Sequence, residues 1–435
     1  MRDGYAWRNW GRTQRCEPAA VETPASELEV REAIRRARAA GQRVKVVGSG
    51  HSFTDIACTD GRMLTLDALN RVVAVDEATR LVTVEAGMTI QRLNDELALR
   101  GLALPNLGDI DRQSLAGAIA TATHGTGARF GGLATFVRGL QMITADGEAL
   151  RCSADEEPEV FHAARVGLGA LGVVTAVTLQ CVPAFTLHHV ERSHAVDDVL
   201  ADLDRYVDTN EHFEFYWLPH TDRCSTIENN RTDEAPRVKS AYKRWRAEIL
   251  YPNYFFGAAV AAGRLRPSLV PRLNQLVASG AGSTELVERS HRVLIATRLV
   301  RFAEMEYGVP RARALDAVQG VRNMIDRTGL RVSFPIEVRF TAPDDIPLST
   351  AFGRDTCYVA VHMARGVPYE QYFRGVEQVM DRLDGRPHWG KLHFQTAATL
   401  APRYPEWDRF QAVRRKLDPA GCFSNTYLDR VLGPA

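Results

Sequence analysis

Polar and apolar positions alternate almost without interruption over residues 331–341, RVSFPIEVRFT. Val332, Phe334, Ile336, Val338 and Phe340 share one face of the strand this predicts, and Ser333, Glu337, Arg339 and Thr341 share the other. Five apolar residues anchor the strand, so Glu337 and Arg339 stand side by side on the opposite face. Taken alone, that pair reads most simply as a solvated ion pair, worth under about 1 kcal/mol.

Other elements follow from local signals. Ser26 and Glu29 form a capping-box pattern that opens a helix to Ala40, ended by Gly41. Strands are predicted at 44–47, 72–75 and 81–85, a helix at 89–100, and a hairpin from 140–144 turning at Asp146-Gly147. A helix near 160–166 leads through Gly167-Leu168-Gly169-Ala170-Leu171-Gly172 to an apolar strand at 173–179. Residues 358–362 read as a strand, and Trp407, Phe410, Val413 and Leu417 have helical spacing. The apolar run 251–262 is read as a buried helix, with a pocket lining or a membrane-surface segment as alternatives. Beyond Pro183 connections lengthen and aromatics gather, so the chain divides into 1–183, 184–395 and a tail, 396–435. Mixed elements in this order predict an α+β protein.

Two windows consist mainly of small residues. The strand 44–47 runs into Gly48-Ser49-Gly50-His51-Ser52-Phe53, where glycines allow close backbone approach to a ligand. Residues 114–127, SLAGAIATATHGTG, contain only Leu115, Ile119 and His124 as large side chains. A tightly packed alanine-rich helix is the alternative, but Gly117, the threonines and Gly125-Thr126-Gly127 disfavour a long one. A short helical turn facing a phosphate with its N-terminus fits the same residues.

GSGHSF and AGAIATATHGTG resemble the flavin-binding segments of the vanillyl-alcohol-oxidase superfamily, and within it the chain resembles the aldonolactone oxidoreductases. The likeness extends over nearly the whole length, through 167–172, Glu337-Val338-Arg339, His388-Trp389-Gly390-Lys391 and the Asn425 tail. It implies an N-terminal FAD-binding domain of the PCMH type, an antiparallel-sheet cap and a C-terminal segment that returns to the first domain. It implies FAD contacts from Val47, Gly48, Ser49, Gly50, His51, Ser52, Gly108, Ser114, Gly117, Ala118, Thr121, Thr123, His124, Gly125, Gly127, Gly172, Val173, Arg339 and Asn425. The histidine at the position of His51 commonly carries the flavin covalently in this family. Catalytic roles fall to Glu337, Arg339 and Lys391, and substrate contacts to Glu337, His362, His388 and Lys391. Lys391 and His393, two apart, are expected to face one site. The implied reaction is oxidation of a sugar-acid lactone, of the gulono- or arabinono-1,4-lactone type, to an ascorbate-like product. Oxygen, a cytochrome or a quinone would be the acceptor. Alditol oxidation and a noncatalytic flavin-binding role are the competing readings.

Composition narrows the field further. A chain of 435 residues exceeds what one core usually serves. Its net charge of +1 gives no electrostatic reason for a nucleic-acid partner. No run reaches the roughly eighteen apolar residues of a membrane helix, and no signal peptide is visible. Seven scattered cysteines without CxxC or zinc spacing fit reduced thiols, no metal site and a cytoplasmic location, with peripheral membrane attachment as an option. Gly167-x-Gly169-x-x-Gly172 spells a dinucleotide motif, but helix, glycines, strand is the reverse of the order that chemistry needs. The P-loop-like Gly385–Lys391 window has Leu392 where a magnesium-holding hydroxyl belongs.

Overall fold

The computed structural model describes residues 6–237, 242, 245–280 and 282–434. Ser26 caps the first helix, Glu27–Ala39, by accepting from Glu29 N, and Gly41 leaves it with φ +63°. Glu29 reaches back to Ala25 N rather than to Ser26, a shifted form of the expected box. Val30, Ile34 and Ala37 turn inward, and the arginines of the helix face solvent. Beside it lies a parallel sheet in the order Ala20–Glu22, Arg62–Thr65, Val44–Val47. An antiparallel sheet follows in the order Ala149–Ser153, Val137–Ile143, Val173–Gln180, Leu81–Glu85, Val72–Asp76. Thr89 caps the helix Ile90–Ala98, shorter at its end than its sequence pattern suggests.

The sheets change at the point where the sequence changes character. Val182–Pro183 still pairs with Leu102–Ala103, whereas Thr186–Ala195 enters an antiparallel sheet of eight strands. Its order is Thr284–Arg289, Thr186–Ala195, Arg223–Thr232, His212–Trp217, Ile336–Thr341, Thr356–Ala364, Phe302–Pro310, Arg386–Pro387. Four of these strands alternate in the same sense. Phe213, Phe215 and Trp217, Ile336, Val338 and Phe340, Val359 and Val361, and Met305, Tyr307 and Val309 fill one core. Helices Ala314–Thr328 and Glu370–Asp381 contribute to that core, covering one side of the sheet.

The strand carrying Glu337 starts at Ile336, not at 331. Pro335 has no N–H for a ladder bond, the alternation breaks there, and Phe334 lines a cavity beside Pro335. Both faces of Ile336–Thr341 are buried, so the solvated-pair reading of Glu337 and Arg339 does not hold.

The segment read as a buried helix is instead largely exposed. A π-helical stretch, Arg246–Phe255, runs into the helix Phe256–Leu265, and Tyr251, Tyr254, Phe255 and Leu265 face outward. Among the described residues of this stretch, Asn253, Val260 and Gly263 are buried. Hydrophobicity alone cannot tell a core stripe from a surface stripe.

The last part of the chain completes the first core. Leu400, Phe410, Tyr427 and Leu428 join residues of the first 181, together with Ile346, Leu348 and Trp389. Asn425 is the tie. Its Nδ2 donates to Asp55 O, Ile56 O and Cys58 O at 3.2, 3.0 and 2.8 Å, and its Oδ1 caps Thr426–Leu432 through Leu428 N. Asn425→Ala therefore leaves buried carbonyls unmatched and removes a helix cap, a loss of about 2–4 kcal/mol. Urea unfolding measures it, and a loss within about 0.5 kcal/mol contradicts the tie.

Candidate active site

The strand Val44–Val47 delivers 48–52 to the wall of a cavity of about 1130 Å³. Val47, Gly48, Ser49, Gly50, His51, Ser52, Ser114, Gly117, Thr121 and Gly172 all line it. The absence of side chains is required here. A Cβ on Gly48 would lie 2.0 Å from Ser114 Oγ, and one on Gly117 would lie 2.9 Å from the same atom. The helix Leu115–Ala120 is a single short piece, as its composition predicts. Gly167, Leu168, Gly169 and Leu171 complete the far wall, so the misordered dinucleotide motif is a cavity lining. Lys45, not singled out in the sequence, also reaches this cavity. Its ammonium donates to Gly169 O and Phe423 O, and burial, with Arg414 nearby, pulls its pKa down to about 7.

Nine expected cofactor residues are not on that wall, and five of these, Ala118, Val173, Gly125, Gly127 and Asn425, line neither cavity. Ala118 is on the buried side of its short helix, and Val173 belongs to the sheet core. Gly125 packs against backbone, where a Cβ would sit 2.1 Å from Leu107 O. Gly127 bridges to Thr341, and Asn425 holds loop 55–58 from behind. Gly108, Thr123 and His124 line the second cavity instead.

His51 stacks on Trp10 with ring centroids 5.6 Å apart. Its Nδ1 is buried without a hydrogen-bond partner. Burial, reinforced by Lys391 and Arg112, lowers its pKa to about 4, so the imidazole is neutral at pH 7. The neutral ring is part of the glycine-lined wall.

Gln113 lines both cavities and marks where they meet. The second, about 890 Å³, faces the polar side of the large sheet. Cross-strand register sets its chemistry: Glu214 opposes Arg339, Tyr216 opposes Glu337, and Glu304 opposes His362. Arg339 pairs with Glu337 and with Glu214 at 2.6 Å, and lies 3.7 Å from Asp109. Tyr216 Oη donates to Glu337 at 2.9 Å, and Arg298 holds Asp109 at 3.2 Å. Three carboxylates thus share two guanidiniums. Burial pushes Glu337 up to about 7; Arg339 opposes this, while Asp109 and Glu214 add to it. Asp109 is half-buried, and against that desolvation Arg339 and Arg298 hold it well below the usual carboxylate range.

Lys391 approaches from the opposite side and pairs with Glu304. Burial disfavours its charge, but Glu304 and Glu306 outweigh that and raise its pKa. His362 lies 3.5 Å from Glu304 and donates through Nδ1 to Pro335 O at 3.0 Å. His124 stacks on Tyr358 and meets Glu306 at 3.3 Å. Burial takes His388 down to about 3, and its Nδ1 accepts from Gly390 N. His124, Glu306 and His388 hold donor atoms within 4.8 Å of one another; the His124–Glu306 pair already accounts for much of that closeness.

The cavity therefore gathers Glu337, Arg339, Lys391, His362 and His388, as expected, but not His393. The chain bends at Lys391 and runs on without strand geometry, so positions two apart need not share a side, and His393 packs against Trp389 and Tyr427. Asp109, Glu214, Tyr216, Arg298, Glu304 and Glu306 were missed. A signal existed for four of them: Glu214 and Tyr216 in HFEFYW and Glu304 and Glu306 in FAEMEYGVP are polar residues alternating with apolar ones.

A glycine-lined cradle beside a charged chamber fits a flavin-dependent oxidoreductase, and comparison with known proteins agrees. An FAD binding domain model matches residues 18–153. The model described as D-arabinono-1,4-lactone oxidase matches residues 177–431, and the chain belongs to that family of aldonolactone oxidoreductases. It is 50% identical over 428 residues to the L-gulono-1,4-lactone dehydrogenase of Mycobacterium tuberculosis, spanning 98% of this chain and 99% of the relative. The L-gulonolactone oxidase of Bos taurus is 39% identical, with 98% of each covered. Among solved structures, a solvent-stable cholesterol oxidase superposes with a TM-score of 0.86 over 99% of this chain and 97% of that one. At 20% identity it speaks to the fold alone.

Proposed function

We propose that the protein oxidises a hydroxyl of a sugar-acid 1,4-lactone, of the gulono or arabinono type, giving a keto-lactone that enolises toward an ascorbate-like product. The observation that carries this is the row of charges, Glu337, Arg339 and Glu304 buried and Lys391 half-buried, lining a chamber that shares Gln113 with the glycine cradle. FAD, when bound in the cradle, supplies a two-electron acceptor. Residues 1–183 hold it, 184–395 cap the substrate chamber, and 396–435 close the first unit from behind. Glu337 holds the substrate hydroxyls and takes the proton, a task suited to a carboxyl poised near 7. Arg339 and Lys391 supply fixed positive charge where negative charge develops. His362 and His388 add hydrogen-bonding wall on the Lys391 side. The free thiols support a cytoplasmic setting.

Anaerobic mixing with gulono-, galactono- and arabinono-lactone and with xylitol tests the substrate. A lactone should bleach the yellow colour fastest, and bleaching by xylitol alone would replace the lactone reading with an alditol one. Admitting air afterwards separates an oxidase, which recovers its colour at once, from an enzyme that needs a cytochrome or quinone.

His51, neutral and with Nδ1 unpaired, carries the flavin through a covalent bond in this proposal. Acid precipitation of the holoenzyme should leave the colour in the pellet, and His51→Ala should release it to the supernatant. Colour entirely in the wild-type supernatant rules the bond out.

A further inference from the structure

Arg354 and Arg386 meet at the edge of the large sheet and are held there by backbone carbonyls rather than by carboxylates. Arg386 donates from Nε to Arg403 O at 2.7 Å, and from Nη1 to Thr350 O and Phe352 O at 3.3 and 2.8 Å. Arg354 donates from Nη1 to Asp384 O and from Nη2 to Gly308 O, each at 2.9 Å. Gly308 stands opposite Arg386 in the strand pairing, so both guanidiniums are tied to one place in the ladder. Arg386 is 6% exposed, and Arg354 is half-buried.

Neither cation has an acid of its own. The carboxylates whose charge reaches them are Asp344 and Asp384. Asp344 is engaged by Ser349 Oγ and Ile346 N, and Asp384 is exposed; neither forms an ion pair with Arg354 or Arg386. Burial, with Arg386 adding to it, pulls Arg354 down to about 10, and burial lowers Arg386 as well. Like charges taken out of water without a partner are costly to a fold.

Two buried donors in the same corner have no hydrogen-bond partner within the protein, Arg354 Nε and Tyr404 Oη. Tyr404 is 1% exposed, and its ring lies 5.3 Å from the Arg386 guanidinium. Burial pushes its hydroxyl up, against the pull of Arg386 and Arg354, so it stays protonated and donates rather than serving as the counter-charge. Packing is close: a Cβ on Gly308 would lie 2.8 Å from Thr356 Cγ2, and one on Gly385 would lie 2.8 Å from Met380 O. N–H and O–H donors around two positive charges, in a corner this tight, match a monoatomic anion better than a phosphate or a carboxylate.

We propose that Arg354, Arg386 and Tyr404 form a binding site for a halide ion, chloride. The three residues line neither the cradle nor the chamber, yet the site is joined to the chamber from behind. Thr350, whose carbonyl Arg386 holds, hydrogen-bonds Tyr358, and Tyr358 stacks on His124 in the chamber wall. Tyr404 stacks on Trp389, beside the wall residue His388. Bound chloride offsets the two cations and braces that wall.

The experiment uses the full-length, FAD-loaded protein, melted in sodium chloride and in sodium gluconate at equal ionic strength. Chloride should raise the melting temperature by about 2 °C, saturating below about 0.2 M. Tyr404→Phe removes only the free hydroxyl and should raise the half-saturating chloride concentration at least about fivefold. Arg354→Gln should abolish the chloride response. Crystals soaked in bromide should show an anomalous peak within hydrogen-bond distance of Arg354 Nε and Tyr404 Oη. No peak there overturns the proposal and leaves the corner to water. A chloride response equal in wild type and Tyr404→Phe also overturns it, as a general salt effect. A peak without stabilisation below about 0.5 M overturns it too, as binding at crystal concentration only. Should Arg354→Gln fail to fold, Tyr404→Phe and the bromide peak decide the matter. No readout involves a lactone, so failure here leaves the substrate assignment standing.

Discussion

Replacing Arg339 by alanine lowers the rate of anaerobic colour loss with a lactone by about 100- to 1,000-fold, the usual effect of removing one preorganised charge from an enclosed site. The structure adds a second effect that the sequence pattern did not show. Arg339 is buried against Glu214, Glu337 and Asp109, and its loss leaves three carboxylates to Arg298 alone. Breaking a buried pair in this way costs about 3–5 kcal/mol, so the alanine variant also loses stability. Arg339→Lys separates the two effects. Lysine keeps the charge but not the fork that reaches Glu214 and Glu337 together, so most stability should return while the rate stays well below wild type. Stopped-flow rates within about tenfold of wild type for both variants would remove Arg339 from the reacting centre.

Glu337→Gln should reduce kcat/KM for a lactone by about 100-fold or more while preserving flavin content. Glutamine keeps the shape and can still meet Tyr216 and Arg339, but it cannot take a proton. Glu337→Asp should also lose activity, because a shorter arm moves the carboxylate by about an ångström. Two pH signatures accompany these losses. Wild-type kcat/KM should rise as pH passes about 7, and that limb should vanish in the glutamine variant. Stability should shift in the opposite sense. The folded pKa lies above the unfolded value, so the folded protein holds the proton more tightly, and this contribution is lost as pH rises through about 7. Wild type should therefore lose stability relative to Glu337→Gln between about pH 4.5 and 7, measured by urea unfolding at several pH values. A difference that does not move with pH would place Glu337 outside the coupled cluster.

What was legible in the sequence was local. A capping serine, glycine punctuation and period-two alternation are written within ten residues of one another, and the first helix, the flavin-side strands and the Trp407–Leu417 helix follow them closely. The resemblance then located His51, Glu337, Arg339 and Lys391. The charge cluster around them was not legible. Asp109, Glu214, Arg298 and Glu304 come from four distant segments and meet only through sheet register and a loop. The exposure of Tyr254 and Phe255 was hidden for a related reason. An apolar stripe announces that something covers it, but not whether the cover is the rest of the chain.

The dependence of the first core on Asn425, Tyr427 and Leu428 also has a consequence for biosynthesis. The glycine cradle is translated early, yet the Asn425 that braces loop 55–58 leaves the ribosome 370 residues after Asp55. An N-terminal half emerging alone has sheets but no finished hydrophobic interior. Cofactor capture therefore waits for these residues, and a polypeptide stopped anywhere before residue 425 is expected to be a substrate for chaperones or proteases rather than an apoprotein awaiting flavin.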